Sequence, residues 1–562
     1  MTGASADNSQ EHTSGGDAHE DLHPQTSKRR RVDTTWSWTV LDTATKFVPP
    51  QQNFLREPMI TASLPTNASP LDFFKLYVTD DIVDMIVQQT NLYAAQYIAN
   101  NTIPPHSAVN QWRDTDRDEM YTFFGLIVLM GIVFKPRLAM YWSTDELYET
   151  GIFGKSMARD RFMLLLRFLH FVNNDTIDPK DPNRDRLAKI RNVMNLLRRR
   201  FATVFAPGRD LCVDESLLLF KGRLAFKQFI RTKRARFGIK IFELCTHNGI
   251  LLDFAVYHGQ FSRELDADQD MLISERIPVS LMKQFLDQGH RLFLDNYYTS
   301  PKLVKYFLSH NTRVVGTVRS NRQNFPPALA NASLQRGEAK FALADEGIIA
   351  VKYRAHQDRA NKQEKVVCLL SADHGNDVVE TRKRTADGQK VLKPSCVVDY
   401  NCKMGGVDMV DQQLESVLVV RRSYKWYKKL FFRLLMQALL SAHKLYQLCG
   451  GRDDFLRFLH NVIMQLLAHS ARLTPTAKSL DGISRLTGRN HFPSQRQYTG
   501  TSRKRASKKK QCRVCYARGV RTPKGGVVET TWVCEGCPSV PGLCVDKTCF
   551  RDYHTKFDYS VV

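Results

Sequence analysis

The stretch Arg291–Ser300, RLFLDNYYTS, predicts a buried strand that ends in an acid and leads into a helix. The apolar run Leu292–Leu294 forms the strand, Ser300 is a preferred helix N-cap, and Pro301 suits the first helical position. An acid at the end of a buried strand is costly unless it caps a helix, pairs with a base or binds a cation. Because Ser300 already supplies the cap, the sequence favours a metal-binding role for Asp295.

The segments around this stretch predict an RNase H-like α/β domain. Three strands come first, and then a helix, a strand, a helix and a strand alternate, which is the element order of that fold. The predicted bounds are Leu211–Phe220, Phe237–Cys245 and Ile250–His258 for the strands, Val279–Leu286 for the helix, Leu292–Leu294, Pro301–Ser309 and Arg313–Val318. Element order does not by itself give a function.

Composition indicates a large chain with an anionic partner. The 562 residues carry a formal charge of +24 with a pI near 9.5, which is typical of proteins that bind nucleic acid, although membrane-surface proteins share it. The N-terminus is polar and acidic, so no secretory signal is expected. The longest apolar run, Met120–Phe134, is too short to span a bilayer and predicts a buried helix.

Two basic clusters favour the nucleus as the location of the protein. Lys28–Arg31 follows an acidic, Ser- and Gly-rich segment that we predict to be disordered. For this cluster alone, a solvated charge run is the stronger alternative. Arg503–Arg505 and Lys508–Lys510 form a second cluster, and the pair together shifts the interpretation toward nuclear import.

Acidic residues recur at matching places in the predicted α/β pattern. Asp214 lies within a strand, where Asp is depleted, and Asp295 ends another strand. Asp408 lies in the first turn of a helix, where the helix dipole stabilises acids in any case, and Asp411 follows at i+3 on the same face. Glu215 should point to the opposite face from Asp214. Converging carboxylates repel one another unless they surround hard divalent cations.

A basic and aromatic segment follows the last of these acids. At helical spacing it predicts a phosphate-binding face with a Trp available for stacking on an unpaired base. A solvated face with the Trp in a core or interface is an equal alternative. A second patch lies in a loop between strands. The two sets are Arg421, Arg422, Lys425, Trp426, Lys428 and Lys429, and Arg231, Lys233, Arg234 and Arg236.

The C-terminal tail has the ligand spacing of a zinc domain. Pairs of cysteines two residues apart chelate one tetrahedral ion, and seven ligands exceed one site. We therefore expect two structural zinc ions in a RING- or PHD-like cross-brace, with Asp546, Asp552 or a water as the eighth ligand. Disulfides are the less favoured alternative in a basic intracellular chain. The seven ligands are Cys512, Cys515, Cys534, Cys537, Cys544, Cys549 and His554.

Several blocks resemble the motifs of piggyBac-type DDE transposases. They are LCVDES (211–216), FLDNYYTS (293–300), GTVRSNR (316–322) and YNCKMGGVDMVDQ (400–412), with FGLIVLMG (124–131) and the segment around Trp426. The resemblance covers most of residues 71–560. It implies catalytic Asp214, Asp295 and Asp408 with Asp411 as a fourth acid, two Mg²⁺ ions (Mn²⁺ is an alternative), and a homodimer.

The resemblance also implies a reaction and its DNA partners. Such enzymes excise a transposon at terminal inverted repeats through hairpin ends and insert it at TTAA. A Trp at the place of Trp426 engages target DNA, and the Cys-rich tail binds transposon ends. The first alternative is a domesticated DNA- or chromatin-binding protein without catalysis. The second is an RNase H-like nuclease that acts on RNA.

The predicted fold class is a multidomain α+β protein with an RNase H-like catalytic core, an insertion, a split α-helical domain and a C-terminal zinc-binding cross-brace. The predicted domains are 1–70, a disordered region with a basic cluster; 71–208 and 418–494, a helical dimerisation and DNA-binding domain; 209–321 and 395–417, the catalytic domain; 322–394, the insertion; 495–511, a basic linker; and 512–562, the zinc domain.

Overall fold

A computed structural model gives the fold of the chain in two compact units. The structure describes residues 36–42, 45–54, 56–178, 180–231, 236–259, 265, 270–355, 365–384, 388–417, 425–470, 491–495, 509–537, 539–556 and 559–560. The first unit combines Met1–Leu55 with Ala267–Met404, and the second combines Arg56–Asp266 with Gly405–Val562. Each unit is described by itself.

The described residues form helices and strands that alternate along the chain. The helices are α1 Pro70–Lys75, α2 Asp80–Ala99, α3 Arg117–Ile132, α4 Ile152–Ser156, α5 Arg159–Phe168, α6 Arg191–Thr203, α7 Ile273–Met282, α8 Pro301–Ser309, α9 Pro327–Ala330, α10 Ser395–Lys403, α11 Gly406–Glu415, α12 Trp426–Leu448, α13 Phe455–Ala468, α14 Arg513–Ala517 and α15 Cys549–Thr555. The strands are β1 Trp38–Leu41, β2 Met59–Ile60, β3 Phe205–Ala206, β4 Asp210–Leu219, β5 Gln228–Phe229, β6 Phe237–Thr246, β7 Leu251–Val256, β8 Arg291–Leu294, β9 Arg313–Val318, β10 Ala339–Ala344, β11 Ile349–Arg354, β12 Val366–Ser371, β13 Val378–Arg384, β14 Lys390–Pro394, β15 Pro493–Gln495, β16 Lys510–Gln511, β17 Glu529–Thr530 and β18 Trp532–Cys534.

Helices from both ends of the second unit pack together. The apolar run that predicts a buried helix forms α3, which packs against α13, and the rings of Phe124 and Phe431 approach to 5.6 Å between centroids. Asp116 caps α3 by accepting a hydrogen bond from Glu119 N at 2.8 Å. Burial within this bundle explains the apolar composition of α3. Among the described residues, none of the helices has the length and hydropathy to cross a membrane.

The strands of the second unit form an antiparallel arrangement around β6. Strands β4, β5 and β7 all pair with β6, and Asp214 lies directly opposite Glu243 in the β4–β6 register. A turn at residues 247–249 joins β6 to β7, and Gly249 adopts a φ of +85°, which a glycine tolerates without strain. Helix α11 packs against β4 and β6.

The strands of the first unit follow the order β1-β10-β11-β12-β9-β8. Neighbours pair antiparallel except β8 and β9, which are parallel and are connected through α8. A parallel pair needs such a crossover helix. The pairing of β12 with β9 means that strands from the segment 322–394 continue the sheet of the first unit. Strands β13 and β14 form a separate hairpin.

The predicted elements nearest the quoted stretch agree with the structure. Helix α8 and strand β9 have the predicted bounds, and β8 begins one residue before the predicted Leu292. Helix α7 differs, because it begins at Ile273 and contains Pro278 within its length. The strands β1, β10, β13 and β14 are absent from the prediction. The cysteine-rich tail contains only short elements, which pack around the buried cysteines.

Candidate active site and zinc sites

Asp295 follows directly after β8 and begins a tight turn ahead of α8. Its Oδ1 accepts a hydrogen bond from Tyr297 N at 2.9 Å, and its carbonyl accepts bonds from Thr299 N at 3.2 Å and Thr299 Oγ1 at 2.8 Å. Ser300 caps α8, since its Oγ accepts a hydrogen bond from Leu303 N at 3.1 Å. The predicted cap is therefore confirmed, and the turn fixes the Asp295 carboxylate at the end of a buried strand.

Two residues of the block GTVRSNR hold this turn from the side. Arg322 donates from Nε to Thr299 O at 3.0 Å and from Nη2 to the carbonyls of Tyr297 and Tyr298 at 2.8 and 3.4 Å. At Gly316 in β9, a Cβ atom would collide with Thr299 Oγ1. The block therefore shapes the backbone that carries Asp295, which gives its resemblance to the family motif a physical basis within the first unit.

Asp214 lies half-buried in the middle of β4 in the second unit. Its Oδ1 accepts a hydrogen bond from Glu215 N at 2.8 Å. Strand alternation predicts that Glu215 faces away, yet a carboxylate oxygen of Glu215 lies within 4.8 Å of one of Asp214. Glu215 is therefore a further acid of this region that alternation alone misses.

The pair Gly405-Gly406 places Asp408 against β4. A Cβ atom at Gly406 would lie 2.6 Å from Cys212 Sγ and would also collide with Thr246 O, so α11 can approach the strand only with glycine there. A Cβ atom at Gly405 would meet nothing within 4 Å. Asp408 follows in the first turn of α11, as predicted.

Asp214 and Asp408 share a neighbour, the thiol of Cys212. Burial raises the pKa of Cys212 to about 12, and the negative charges of both aspartates add to this effect. The thiol is thus neutral near pH 7 and is a poor metal ligand. The donors in this part of the second unit are carboxylate oxygens, which suit Mg²⁺ or Mn²⁺. Asp295 belongs to the first unit, so the convergence of all three acids stays a prediction.

Asp411 has a basic partner. Arg433 on α12 donates from Nη2 to Asp411 Oδ1 at 2.5 Å, and the side chain of Arg433 is only 7% exposed. The same guanidinium lies 3.8 Å from Glu243 Oε1. Burial raises the pKa of the Glu243 carboxyl, and Arg433 opposes this shift. The role of Asp411 as a fourth catalytic acid stays a prediction, and its carboxylate is engaged in an ion pair.

Four buried cysteines of the tail form the first candidate zinc site. Cys512, Cys515, Cys544 and Cys549 each offer a sulfur within 4.8 Å of the others, and Cys515 Sγ lies 3.6 Å from Cys549 Sγ. A tetrahedral ion with Zn–S bonds of 2.3 Å requires about 3.8 Å between its sulfur ligands. The observed spacing fits a closed, structural zinc site.

The second candidate zinc site combines two cysteines with two histidines. His491 Nδ1 lies 3.3 Å from Cys534 Sγ and 3.5 Å from Cys537 Sγ, and His554 Nε2 lies 3.4 Å from Cys537 Sγ. A tetrahedral zinc site requires about 3.6 Å between sulfur and nitrogen ligands. His554 Nδ1 contacts Phe550 O at 2.7 Å, which leaves Nε2 as the metal-facing nitrogen.

The eighth ligand is His491, which corrects the suggested Asp546, Asp552 or water. Asp552 belongs to neither cluster of possible ligands, and its Oδ2 accepts hydrogen bonds from Arg518 Nη2 at 2.9 Å and Thr548 Oγ1 at 2.8 Å. His491 is the nearest histidine upstream of Cys512 in the sequence, and that is the signal that could have identified it. Ligands of the two sites interleave along the chain, as the predicted cross-brace requires.

Comparisons with known proteins agree on one family. The family described as Transposase IS4 matches residues 69–443, and the family described as DDE_Tnp_1-like zinc finger matches residues 494–555. The chain is 25% identical to PiggyBac transposable element-derived protein 2 of Homo sapiens over 559 residues, which covers 96% of this chain and 86% of that protein. The chain belongs to the piggyBac-type transposase family.

Two further matches support the membership. PiggyBac transposable element-derived protein 3 of Homo sapiens is 26% identical over 514 residues, covering 87% of this chain and 76% of that protein. The cryo-EM structure of a piggyBac transposase synaptic complex with hairpin DNA is similar with a TM-score of 0.63 and 25% identity, over 84% of this chain and 97% of that one. The piggyBac-type match therefore extends over sequence and fold.

The loop patch of this piggyBac-type chain is only partly described. Arg231 and Arg236 lie on either side of a hairpin tip and are exposed, as phosphate contacts require. Lys233 and Arg234 lie outside the described residues, as do Arg421 and Arg422 of the later segment. The same holds for residues 1–35 with Lys28–Arg31, and for residues 496–508 of the linker predicted at 495–511, which include Lys508. The phosphate-binding role of these residues stays a prediction.

Lys428 does not belong to an exposed basic face, which corrects the helical stripe predicted after Asp411. Helix α12 begins at Trp426 and Lys425 is its extended N-cap, so Lys425 does not share a helical face with Lys428 and Lys429. Lys428 is 6% exposed, and its Nζ donates to the carbonyls of Leu166 and Arg167, each at 2.8 Å. Burial lowers its pKa to about 7, which disfavours a phosphate-binding role. Lys429 is also partly buried, and burial lowers its pKa.

Trp426 borders a cavity of about 840 Å³ in the second unit. Its ring meets Phe226 edge-to-face, with 5.3 Å between centroids, and Lys180, Arg184 and Arg223 also line the cavity. The side chain is half-buried. This placement combines the two predicted alternatives, because one edge of the indole packs against the protein while the residue lines an open, basic cavity.

Proposed function

We propose that this chain is a piggyBac-type DNA transposase that cuts and joins DNA with divalent metal ions. The observation that carries the proposal is the close approach of α11, which carries Asp408, to Cys212 on the Asp214 strand β4, in a family whose sequence match spans these two acids and Asp295. Carboxylate oxygens from β4 and α11 supply a hard-cation donor set, and the turn after β8 presents a third carboxylate.

In the proposed site, Asp214, Asp295 and Asp408 hold two Mg²⁺ ions. Bound Mg²⁺ supplies charge neutralisation at the phosphate and activation of the attacking oxygen. The exposed arginines Arg231 and Arg236, with the predicted loop residues between them, position the DNA through its phosphates. The Asp411 carboxylate does not take the proton of the attacking group in this scheme, because it is paired with Arg433.

The proposed reaction consists of hydrolysis and transesterification of phosphodiester bonds. A water oxygen attacks the phosphorus at the transposon end, the P–O3′ bond breaks, and a 3′-hydroxyl is released. That hydroxyl attacks the opposite strand and forms a hairpin, with one phosphodiester bond made for each one broken. A second water opens the hairpin, and the renewed 3′-hydroxyl attacks target DNA at TTAA. Electrons and oxidation states do not change.

The decisive experiment measures nicking by the purified full chain. The substrate carries a pair of terminal inverted repeats flanked by TTAA, and Mg²⁺ is present or withheld. We expect strand cleavage that requires Mg²⁺ or Mn²⁺ and falls more than about a hundred-fold in Asp295→Asn, beyond the loss typical of an outer-shell partner. Lys302→Gln, three residues after the turn, is the matched control, because among the described residues Lys302 Nζ donates to Asp270 O at 3.1 Å and not to the turn.

The result that would overturn the proposal is DNA that shifts on a gel but stays intact with both metals. This result would favour the alternative, a domesticated DNA- or chromatin-binding protein. The alternative has its own support, since the two human relatives are named as proteins derived from a transposable element. Cleavage of structured RNA without joining at TTAA would instead favour the RNase H-like nuclease.

Further properties belong to the same proposal. We propose an RNase H-like core, supported by antiparallel β4, β6 and β7 followed by the parallel pair β8 and β9. We also propose the predicted domain boundaries, homodimerisation, a nuclear location and a zinc tail that binds transposon ends. Gel filtration with light scattering tests homodimerisation, and fluorescence microscopy of a tagged chain tests the nuclear location. DNA footprinting with the full chain tests whether the zinc tail binds transposon ends.

A further inference from the structure

The second unit contains a buried carboxylate that the proposed reaction does not use. Glu243 on β6 is fully buried and lies opposite Asp214 in the strand register. Its Oε1 accepts hydrogen bonds from Ser216 Oγ at 2.6 Å and from Gln437 Nε2 at 2.7 Å. Within the described part of the chain, Glu243 Oε2 and Gln437 Oε1 have no hydrogen-bond partner. A buried acid with an unsatisfied oxygen is unfavourable for stability alone.

This carboxylate is one member of a connected polar network. Arg433 and Gln437 are four residues apart on α12 and therefore share a face. Gln437 bonds Glu243, and Arg433 reaches both Glu243 Oε1 at 3.8 Å and Asp411 Oδ1 at 2.5 Å. All these atoms are buried except the Asp411 carboxylate, whose side chain is 33% exposed.

The network joins the elements that carry two of the predicted metal ligands. Ser216 lies two residues after Asp214 on β4 and on the same face. Asp411 lies three residues after Asp408 on α11 and on the same helical face. A path of hydrogen bonds and one ion pair thus runs from the Asp214 strand, through Glu243 and α12, to the Asp408 helix.

We propose that Glu243, Arg433 and Gln437 are positioning residues that fix Asp411, and through it the Asp408 carboxylate, relative to Asp214. This inference rests on the proposed function and gives Asp411 a definite role. Asp411 is the anchor of α11 and binds no metal ion itself. The fold alone does not require the arrangement, because apolar residues of similar volume would fill the same space with equal or greater stability.

The test measures metal affinity separately from turnover. Electron paramagnetic resonance reports Mn²⁺ binding by the DNA-free full chain, and the Mg²⁺ concentration for half-maximal nicking reports it during the reaction. The variants are Asp411→Asn, Arg433→Gln, Glu243→Gln and the double variant D411N/R433Q. Glu243→Gln preserves side-chain volume and Asp411→Asn is at a partly exposed site, so both should fold. Arg457→Gln is the control, because this exposed arginine pairs with Asp453 at 3.4 Å, away from the network.

We expect each single variant to weaken Mn²⁺ binding and raise the half-maximal Mg²⁺ concentration about ten-fold, while nicking at saturating Mg²⁺ changes less. The double variant should be no weaker than the singles, because the two residues act as one unit. Arg433→Lys should restore part of the affinity, since the ammonium can still pair with Asp411. A merely structural role would lower the melting temperature without this rescue pattern.

Two outcomes would overturn the proposal. Unchanged Mn²⁺ affinity in Arg433→Gln and Glu243→Gln would show that the network does not position the Asp408 carboxylate. Loss of a bound ion in Asp411→Asn alone, with additive effects in the double variant, would make Asp411 a direct ligand. Mn²⁺ binding by the wild-type chain distinguishes failure of the network proposal from failure of the proposed function. If it binds no Mn²⁺ at all, the transposase proposal fails and the network proposal fails with it.

Discussion

The zinc tail and the acidic region of the proposed active site are organised in opposite ways. All eight candidate ligands of the tail come from residues 491–554. Four pairs of their sulfur and nitrogen atoms, one in the first site and three in the second, lie 3.3–3.6 Å apart. The acids are far apart in sequence, and each is held by its own set of neighbours: Arg322 near Asp295, Gly406 before Asp408, and Arg433 at Asp411.

This difference shows which residues organise each proposed metal site. In the tail, the ligands themselves organise the site, because few other side chains are available to form a core. In the acidic region, residues that bind no metal determine where the carboxylates point. Substitutions of residues that are not themselves ligands should therefore have small effects on zinc binding. In the acidic region, such substitutions should have large effects on metal affinity and nicking.

The largest expected effect is at His491 and tests whether this residue is the fourth ligand of the second zinc site. His491→Ala removes one ligand of a closed site, so we expect about two zinc atoms per chain to fall to about one, with loss of the tail fold, because structural zinc contributes directly to folding free energy. Mass spectrometry of metal content and protease resistance of the tail measure this change. Asp552→Asn is the control and should keep both ions. A full zinc complement in His491→Ala would contradict the assignment.

The next effect concerns a residue that binds no metal, Arg322. Arg322→Gln removes the bonds to three carbonyls around Asp295, so we expect the nicking turnover to fall about 10- to 100-fold, with little change in the KM for DNA. Arg322→Lys should recover little, because an ammonium cannot reproduce the guanidinium fork. Steady-state kinetics on the inverted-repeat substrate measure the split between the two parameters.

Arg319 in the same block provides the contrast to Arg322. Within the described part of the chain its Nε makes one long contact, with Asn296 Oδ1 at 3.5 Å, and its side chain is exposed. Arg319→Gln should therefore affect DNA binding more than turnover. Equal loss of turnover in both variants would show that the block acts through charge and not through the turn.

A matched glycine pair tests the approach of α11 to β4. Gly406→Ala forces a methyl group against Cys212 Sγ and Thr246 O, so we expect about 1–3 kcal/mol less stability together with reduced nicking. Gly405→Ala meets open space and should leave stability nearly unchanged. Thermal and denaturant unfolding measure both variants. If the pair behaves alike, the close approach does not position Asp408.

The smallest effect, taken per pH unit, is a pH dependence of stability at Lys428. Burial lowers the pKa of the folded-state ammonium to about 7, whereas the unfolded chain keeps its proton until about pH 10.4. Between these values the unfolded state binds more protons, so the free energy of unfolding should rise with pH by up to about 1.4 kcal/mol per unit. Lys428→Met removes this contribution. Denaturant unfolding at several pH values checks whether the wild-type slope exceeds that of the variant.

Local signals in the sequence predicted much of the fold around the sites. Ser300 and Pro301 predicted the start of α8, because caps and first-turn prolines act within a few residues. The spacing of the cysteines predicted the zinc tail for the same reason. Asp408 was predicted in a first helical turn after two glycines, and the structure agrees.

Long-range partners explain what the sequence did not predict. His491 lies upstream of the first cysteine pair and has no diagnostic spacing. Lys428 has the composition of a surface residue, and only its contacts with Leu166 and Arg167 reveal that it is buried. Strand β1 pairs with residues 300 to 306 positions later in the chain, so no local pattern distinguishes it from a loop.

The same strand has a consequence for how the chain is made. Trp38 pairs with Ala344. At bacterial or eukaryotic synthesis rates of about 5–20 residues per second, the ribosome needs roughly 15–60 s to deliver the second strand after the first. During that interval the early segment has no sheet to join. N-terminal truncations should stop short of Trp36, because deleting β1 would leave β10 as an open edge prone to aggregation.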